Sequence, residues 1–195
     1  MGMNIVFVIF SATFVVSSSA AAQSYDTFDS GRLTGKVIVE WYKPDIFIFT
    51  PDPKRPLVFT RKNGDQIVPG RMLTDGGSIP RPLWMLPKFS PWGYGPAFVV
   101  HDWLFAMHHC QYKGYEKYDH HIAATVMAEV MKTMMESKMV EGIDPWTLDS
   151  MYWAVNSTFA QQLWDKGKCD PPPSEFTAKV LIQTFKIDMD QYPQH

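Results

Sequence analysis

The sequence predicts an α+β domain in which N-terminal antiparallel β-strands and hairpins are followed by an antiparallel bundle of three to four helices. Three observations predict it. Between residues 33 and 80, short β-branched and aromatic runs are separated by prolines and by an Asn63-Gly64 pair, the punctuation of strands and turns. From Pro96 onward, apolar residues recur at helical spacing. Strands therefore come first and helices second, the chain order of an α+β domain.

Each element has a local reason. Lys36-Val37-Ile38-Val39-Glu40-Trp41 is rich in β-branched residues and reads as a strand, and Ile46-Phe47-Ile48-Phe49-Thr50 as a second. Leu57-Val58-Phe59-Thr60 and Gln66-Ile67-Val68 flank Lys62-Asn63-Gly64-Asp65. Asn-Gly tolerates positive φ, so this stretch reads as a hairpin. Met72-Leu73-Thr74 adds a short strand. Residues 75–96 read as a structured loop, since Pro80, Pro82, Pro87 and Pro91 forbid a regular helix. Pro96 opens a first helix to about His109, and a second runs from Tyr115 to Met139 with Ile122, Val126, Val130 and Met134 on one stripe. The methionines of that helix (Met127, Met131, Met134, Met135, Met139) read as core. Asp144 and Pro145 fit the N-cap and first position of a third helix carrying Leu148, Met151, Tyr152, Val155, Phe159 and Leu163. Ser174 caps a last helix through Val180, Leu181 and Phe185, a helical extension over residues 170–190.

Composition narrows the function classes. With 46% hydrophobic and 19% charged residues the chain folds. A net charge of −2 gives no basic field to hold a nucleic-acid backbone. Residues 1–22 read as a secretory signal: the apolar run is Ile5–Val16, three serines follow, and Ala20 and Ala22 fit an A-x-A cleavage site. An uncleaved N-terminal anchor is the alternative, because no Lys or Arg precedes Arg32. Either way the chain is expected outside the cytoplasm, periplasmic or secreted, as one domain over 23–195 with no membrane span after the signal is cut. Cys110 and Cys169 cannot make a disulfide framework. One bridge between them suits an oxidising compartment, while the plainer reading is two buried thiols.

The candidate chemistry lies in the first helix, Ala97-Phe98-Val99-Val100-His101-Asp102-Trp103-Leu104-Phe105. It is apolar nearly all round and should be buried. A carboxylate there needs a partner or a cation. Asp119, at the start of the second helix, is placed to hydrogen-bond a ring nitrogen of His101 and fix its tautomer, leaving His101 as general base. Asp102 then holds a cation, with backbone oxygens of Gly93 and Gly95 and the carboxylate of Asp75 as further donors; such an oxygen set suits calcium. Zinc is the weaker alternative, on His108, His109, Cys110, Asp119, His120 and His121 at facing helix ends. Against both stands the plain reading that these groups are a buried polar network.

Three stretches carry a family resemblance. Ile67-Val68-Pro69-Gly70, Thr74-Asp75-Gly76-Gly77-Ser78-Ile79-Pro80-Arg81 and Val100-His101-Asp102-Trp103-Leu104-Phe105, in that order, resemble the domain-of-unknown-function family 1353, over about residues 57–160. That family is common in bacteria and in phage and prophage genomes. Gly77 stands for its usual alanine, Phe105 for its tyrosine, and Tyr118-Asp119 for its Ala-Asp. A more distant likeness is to the secreted phospholipase A2 helix pair. It implies His101 as base, Asp102 as calcium ligand and Asp119 as orienting group. Two function classes follow: a metal-assisted hydrolase acting on a lipid or cell-envelope ester, or a non-catalytic envelope or phage-derived module.

Overall fold

The computed structural model describes residues 24–42, 46–74, 93–172 and 181–193. The expected signal over residues 1–22, Asp75 and the proline-rich stretch of residues 80–91 lie outside those residues. The strands are β1 (Arg32–Thr34), β2 (Lys36–Tyr42), β3 (Ile46–Phe49), β4 (Val58–Thr60), β5 (Gln66–Ile67), β6 (Met72–Thr74) and β7 (Leu181–Asp188). The helices are α1 (Gly95–Cys110), α2 (His120–Glu136), α3 (Pro145–Val155) and α4 (Thr158–Lys166). The fold class is α+β, as expected.

The strands form two antiparallel sheets, ordered β1-β4-β5 and β6-β3-β2-β7. The Asn-Gly hairpin joins β4 to β5. Gly64 sits at φ +87°, and Asn63 Oδ1 accepts from Asp65 N at 2.9 Å, an Asx turn of the kind Asn supplies. This hairpin is clamped to α2. Arg61 makes a two-pronged ion pair with Glu129, both contacts 2.7 Å, and Tyr118 donates to Asp65 at 2.7 Å.

Three helix boundaries follow their capping residues. Asp119 accepts from Ile122 N at the start of α2, Asp144 from Thr147 N at the start of α3, and Ser157 from Ala160 N at the start of α4. Each cap satisfies an N–H that has no partner inside the helix. The sequence suggested one helix through Leu163. Ser157 breaks it, adopting extended backbone at ψ 162° and capping a new helix instead. The second helix also starts later than expected, at His120, after a 3-10 turn over Tyr115–Lys117.

The largest correction is at the C-terminus. The expected helix through Leu181 and Phe185 is strand β7, paired with β2 from Tyr42↔Leu181 to Lys36↔Asp188. A short apolar run fits either period. Here β2 offers a long unpaired edge, and a matching strand satisfies its N–H and C=O groups. Arg55 pins the end of this strand, pairing with Asp188 and, at 3.0 Å, with Asp190.

One core joins both sheets to the helices. It runs from Leu33, Phe49 and Phe59 through Val100 and Leu104 to Val126, Met127, Met131 and Met151. Met127, Met131, Met134 and Met135 are buried and Met139 packs against the core. α1 packs on α2, β6 and α4. Gly70, of the Val68-Pro69-Gly70 stretch, explains itself here: a Cβ added to it would lie 2.6 Å from the Trp103 ring. Trp103 in turn stacks on Tyr112, with centroids 5.4 Å apart.

Two stability predictions follow from this packing. Gly70→Ala forces the Trp103 ring to shift and should cost about 1–3 kcal/mol in urea denaturation. Glu129→Ala leaves Arg61 half-buried without its carboxylate and should cost about 3 kcal/mol or more. If a double variant with Arg61→Ala recovers none of that, the pairing is not the source.

Candidate functional site

α1 is buried on nearly its whole circumference, from Pro96 to Met107 with Trp103 and Ala106 partly exposed. Its polar pair is therefore held among apolar neighbours. His101 is 1% exposed, and its ring lies 4.9 Å from that of Phe105. Neither ring nitrogen has a hydrogen-bond partner among the described residues. Among the described residues, the carboxylate beside it is that of the adjacent residue, with His101 Nδ1 3.7 Å from Asp102 Oδ1. That is too long for a hydrogen bond.

Asp102 is better provided. Thr74 Oγ1, at the end of β6, donates to Asp102 Oδ2. The carboxylate also lines a cleft of about 380 Å³ between α1, β3, β6 and the segment after α4. Arg71, Tyr112, Lys168 and Asp170 stand around the same cleft. Carboxylates and cations thus face one space, with Phe47 and Ala106 as apolar wall.

The segment after α4 is fixed to this wall by covalent chemistry. Cys110 and Cys169 are bridged, with Cα atoms 4.6 Å apart. This corrects the reading of two buried thiols. The two cysteines are 59 residues apart in sequence, so spacing alone gave no sign of it. Arg71 Nη1 donates to Pro172 O at 3.3 Å and holds the same segment from the other side.

The expected constellation is only partly assembled. His101 and Asp102 adjoin, but Asp119 does not reach His101. It is exposed, and its carboxylate serves as the N-cap of α2, 2.7 Å from Ile122 N. The physical reason is that a residue just outside the helix points its side chain back over the helix end rather than along the packed stripe. The next residue, His120, takes the buried place and donates from Nε2 to Val155 O at 2.8 Å. Gly93 and Gly95 are not among the residues that line the cleft at Asp102. Gly95 begins α1, about 10 Å of helix rise before Asp102, and Gly93 lies further back.

The zinc set is dispersed as well. His108 stacks on Trp164 with centroids 4.2 Å apart. His109 Nε2 meets the carbonyls of Leu163 and Trp164 at 3.2 and 3.0 Å. His121 faces Asn156 at 3.3 Å, and Cys110 is bridged. Among the described residues, no group of three or more His, Cys, Asp or Glu side chains is placed to hold a metal ion. The sequence reading missed Arg71, Lys168 and Asp170 as cleft residues. Their signal was weak, since they lie in unrelated stretches brought together by the Cys110–Cys169 bridge.

The histidines make the fold sensitive to acid. Burial lowers the pKa of His120 below 6.5; the Val155 carbonyl opposes this and His101 adds to it. Burial also lowers that of His108, with His109 adding to it. The folded chain therefore binds fewer protons at these sites than the unfolded chain. Their contribution is whole above about pH 6.5 and is lost as pH falls through the lowered folded values. Thermal melts from about pH 8 to pH 5 should show Tm falling on the acid side, with a shallower fall in His120→Gln. An equal fall in that variant excludes His120 as a source.

No curated protein and no solved structure matches the chain. One family model does, over residues 54–155, which is just over half of the sequence and takes in Pro69-Gly70, Thr74, the His101-Asp102 pair and α2. The chain belongs to the family described as protein of unknown function DUF1353.

Proposed function

We propose that this chain is an exported binding domain of the cell envelope whose ligand sits in the cleft at Asp102. The observation that supports this reading most is the division of the polar pair: Asp102 faces the cleft, whereas His101 is 1% exposed behind it. A general base must come within hydrogen-bond reach of the proton it takes, and a buried ring packed beside Phe105 does not. A carboxylate on the cleft wall suits a hydrogen-bond donor or a cation on the ligand. Arg71 and Lys168 on the same wall suit a ligand that also carries negative charge. A cleft of about 380 Å³ is within the ordinary range for small-ligand sites. Export is supported by the apolar run at Ile5–Val16 and by the Cys110–Cys169 bridge, which persists in oxidising compartments.

A second reading, a calcium-assisted hydrolase of a lipid or envelope ester, draws on one specific observation. Two buried ring nitrogens without partners are costly, at about 1–3 kcal/mol for each unsatisfied group. Proteins tolerate such a cost most often where a function needs it. In this reading Asp102 holds the cation, and an opening of α1 toward the cleft must expose His101.

One set of experiments separates the readings. Trialanine and calcium chloride are titrated separately into isotopically labelled protein. On the binding reading, trialanine moves backbone amides of residues 71–74, 102–112 and 168–172, and Asp102→Asn abolishes the shifts. If neither probe moves them, the cleft is not a site for such ligands. Hydrolysis of a short-chain phospholipid and of a p-nitrophenyl ester is then measured with calcium. The binding reading expects no turnover, and expects His101→Leu to raise Tm by relieving the unsatisfied ring. Wild-type turnover that is lost in His101→Ala establishes the hydrolase instead.

A further inference from the structure

We propose that the outer face of α3 and α4 seats on a lipid bilayer at headgroup depth, beside the point where the N-terminal apolar segment joins the fold. The first observation is where exposed apolar surface gathers. Ile143, Trp146, Trp153, Phe159 and Leu163 are 58, 66, 55, 55 and 36% exposed. They are five of the eight large apolar side chains exposed among the described residues, and all fall within one stretch of 21 positions.

Helix geometry turns this list into a surface. Trp146 and Trp153 are seven residues apart, about two turns, and share one face of α3. Leu148, Met151, Tyr152 and Val155 occupy the opposite, buried side. Phe159 and Leu163 are one turn apart on α4, whose buried residues are Ala160 and Trp164. Trp153 and Phe159 flank the Asn156-Ser157 junction between the helices. An apolar concentration of this kind on the outward sides of two successive helices marks a contact surface rather than stray exposure. Tryptophan favours membrane interfaces, because its ring is apolar and its N–H needs a wet partner.

The second observation says what covers it. The 3-10 turn Tyr25–Thr27 packs on α3, and Tyr25 N donates to Asp149 Oδ1 at 2.8 Å. Asp149 lies between Trp146 and Trp153, about 60° and 40° around the helix from them. The chain therefore leaves the fold toward its N-terminus at the edge of this same face. Beyond Ser24 only residues 17–23 separate the fold from the apolar run Ile5–Val16. Seven residues span at most about 25 Å, so a membrane-inserted run holds this face close to the bilayer surface. Where that run stays in the membrane as an uncleaved anchor, it keeps the fold at the bilayer with this face toward it. The charges in and next to this stretch of sequence are mixed, with Glu141, Asp144, Asp149 and Asp165 against Lys138 and Lys166. The fit is to a zwitterionic surface rather than an anionic one.

The test uses full-length protein and phosphatidylcholine vesicles with and without brominated acyl chains. The emission component missing in Trp153→Phe, obtained by difference from the wild type, should be quenched by the brominated lipid. This readout reports the position of Trp153 even if the N-terminal segment alone binds vesicles. The double variant Trp153→Ser, Phe159→Ser should lower vesicle partitioning by about tenfold or more, and Val68→Ser, exposed elsewhere on the fold, should leave it unchanged. An unquenched Trp153 overturns the proposal, as does partitioning equal to wild type in the double variant. A dimer that the double variant dissociates, with vesicle binding unaffected, assigns the face to a second copy of this chain and overturns it too.

Discussion

The fold turns on the burial of one helix that has no hydrophilic side. An ordinary surface helix buries one stripe and wets the rest. Residues 97–107 of α1 offer almost nothing to water, so the chain must cover this helix from several directions at once. α2, β6 and α4 supply that cover. The strands that precede α1 and the helices that follow it are brought together because both must meet the same core. The close approach of Trp103 to Gly70 is one visible cost of this arrangement, since a larger residue there must displace the ring.

The same burial sets the terms for the polar pair. Two adjacent residues on a helix point about 100° apart, so His101 and Asp102 cannot share a surroundings. Asp102 turns toward β6 and the cleft, where Thr74 meets it. His101 turns into the core beside Phe105. An acid with access and an imidazole without it make a recognition site more readily than a proton-transfer site. The wall opposite is held by the Cys110–Cys169 bridge and by Arg71 on Pro172, so the cleft keeps its shape. None of the exposed apolar residues of α3 and α4 is among those that line the cleft. Anchoring and ligand capture can thus be separate tasks of one small domain.

Much of the fold was legible in the residues because the signals were local. The hairpin is written in Asn63-Gly64, and the third helix in Asp144-Pro145, whose side chain and ring act within one turn. The buried character of α1 follows from its composition. The site was legible only in part. His101 and Asp102 stood out as ionisable groups in an apolar run. Asp119 stood out for its position, yet its carboxylate had a nearer use. A side chain that can cap its own helix needs only a small rotation to do so, whereas reaching His101 requires it to point along the packed face.

The amino-acid sequence by itself determined where chain direction changes, which helix is buried, and that the chain belongs with Pro-Gly and His-Asp motif proteins of its family. Those features depend on neighbours within a few positions. Tertiary structure alone decided that Leu181–Asp188 is a strand, because the open edge of β2 lies some 140 residues away in the chain. It alone decided that Cys110 meets Cys169 and that Arg71, Lys168 and Asp170 share a cleft with Asp102. Each of these depends on which distant segments come to lie side by side, and that is settled by the joint burial of the whole core rather than by any run of residues.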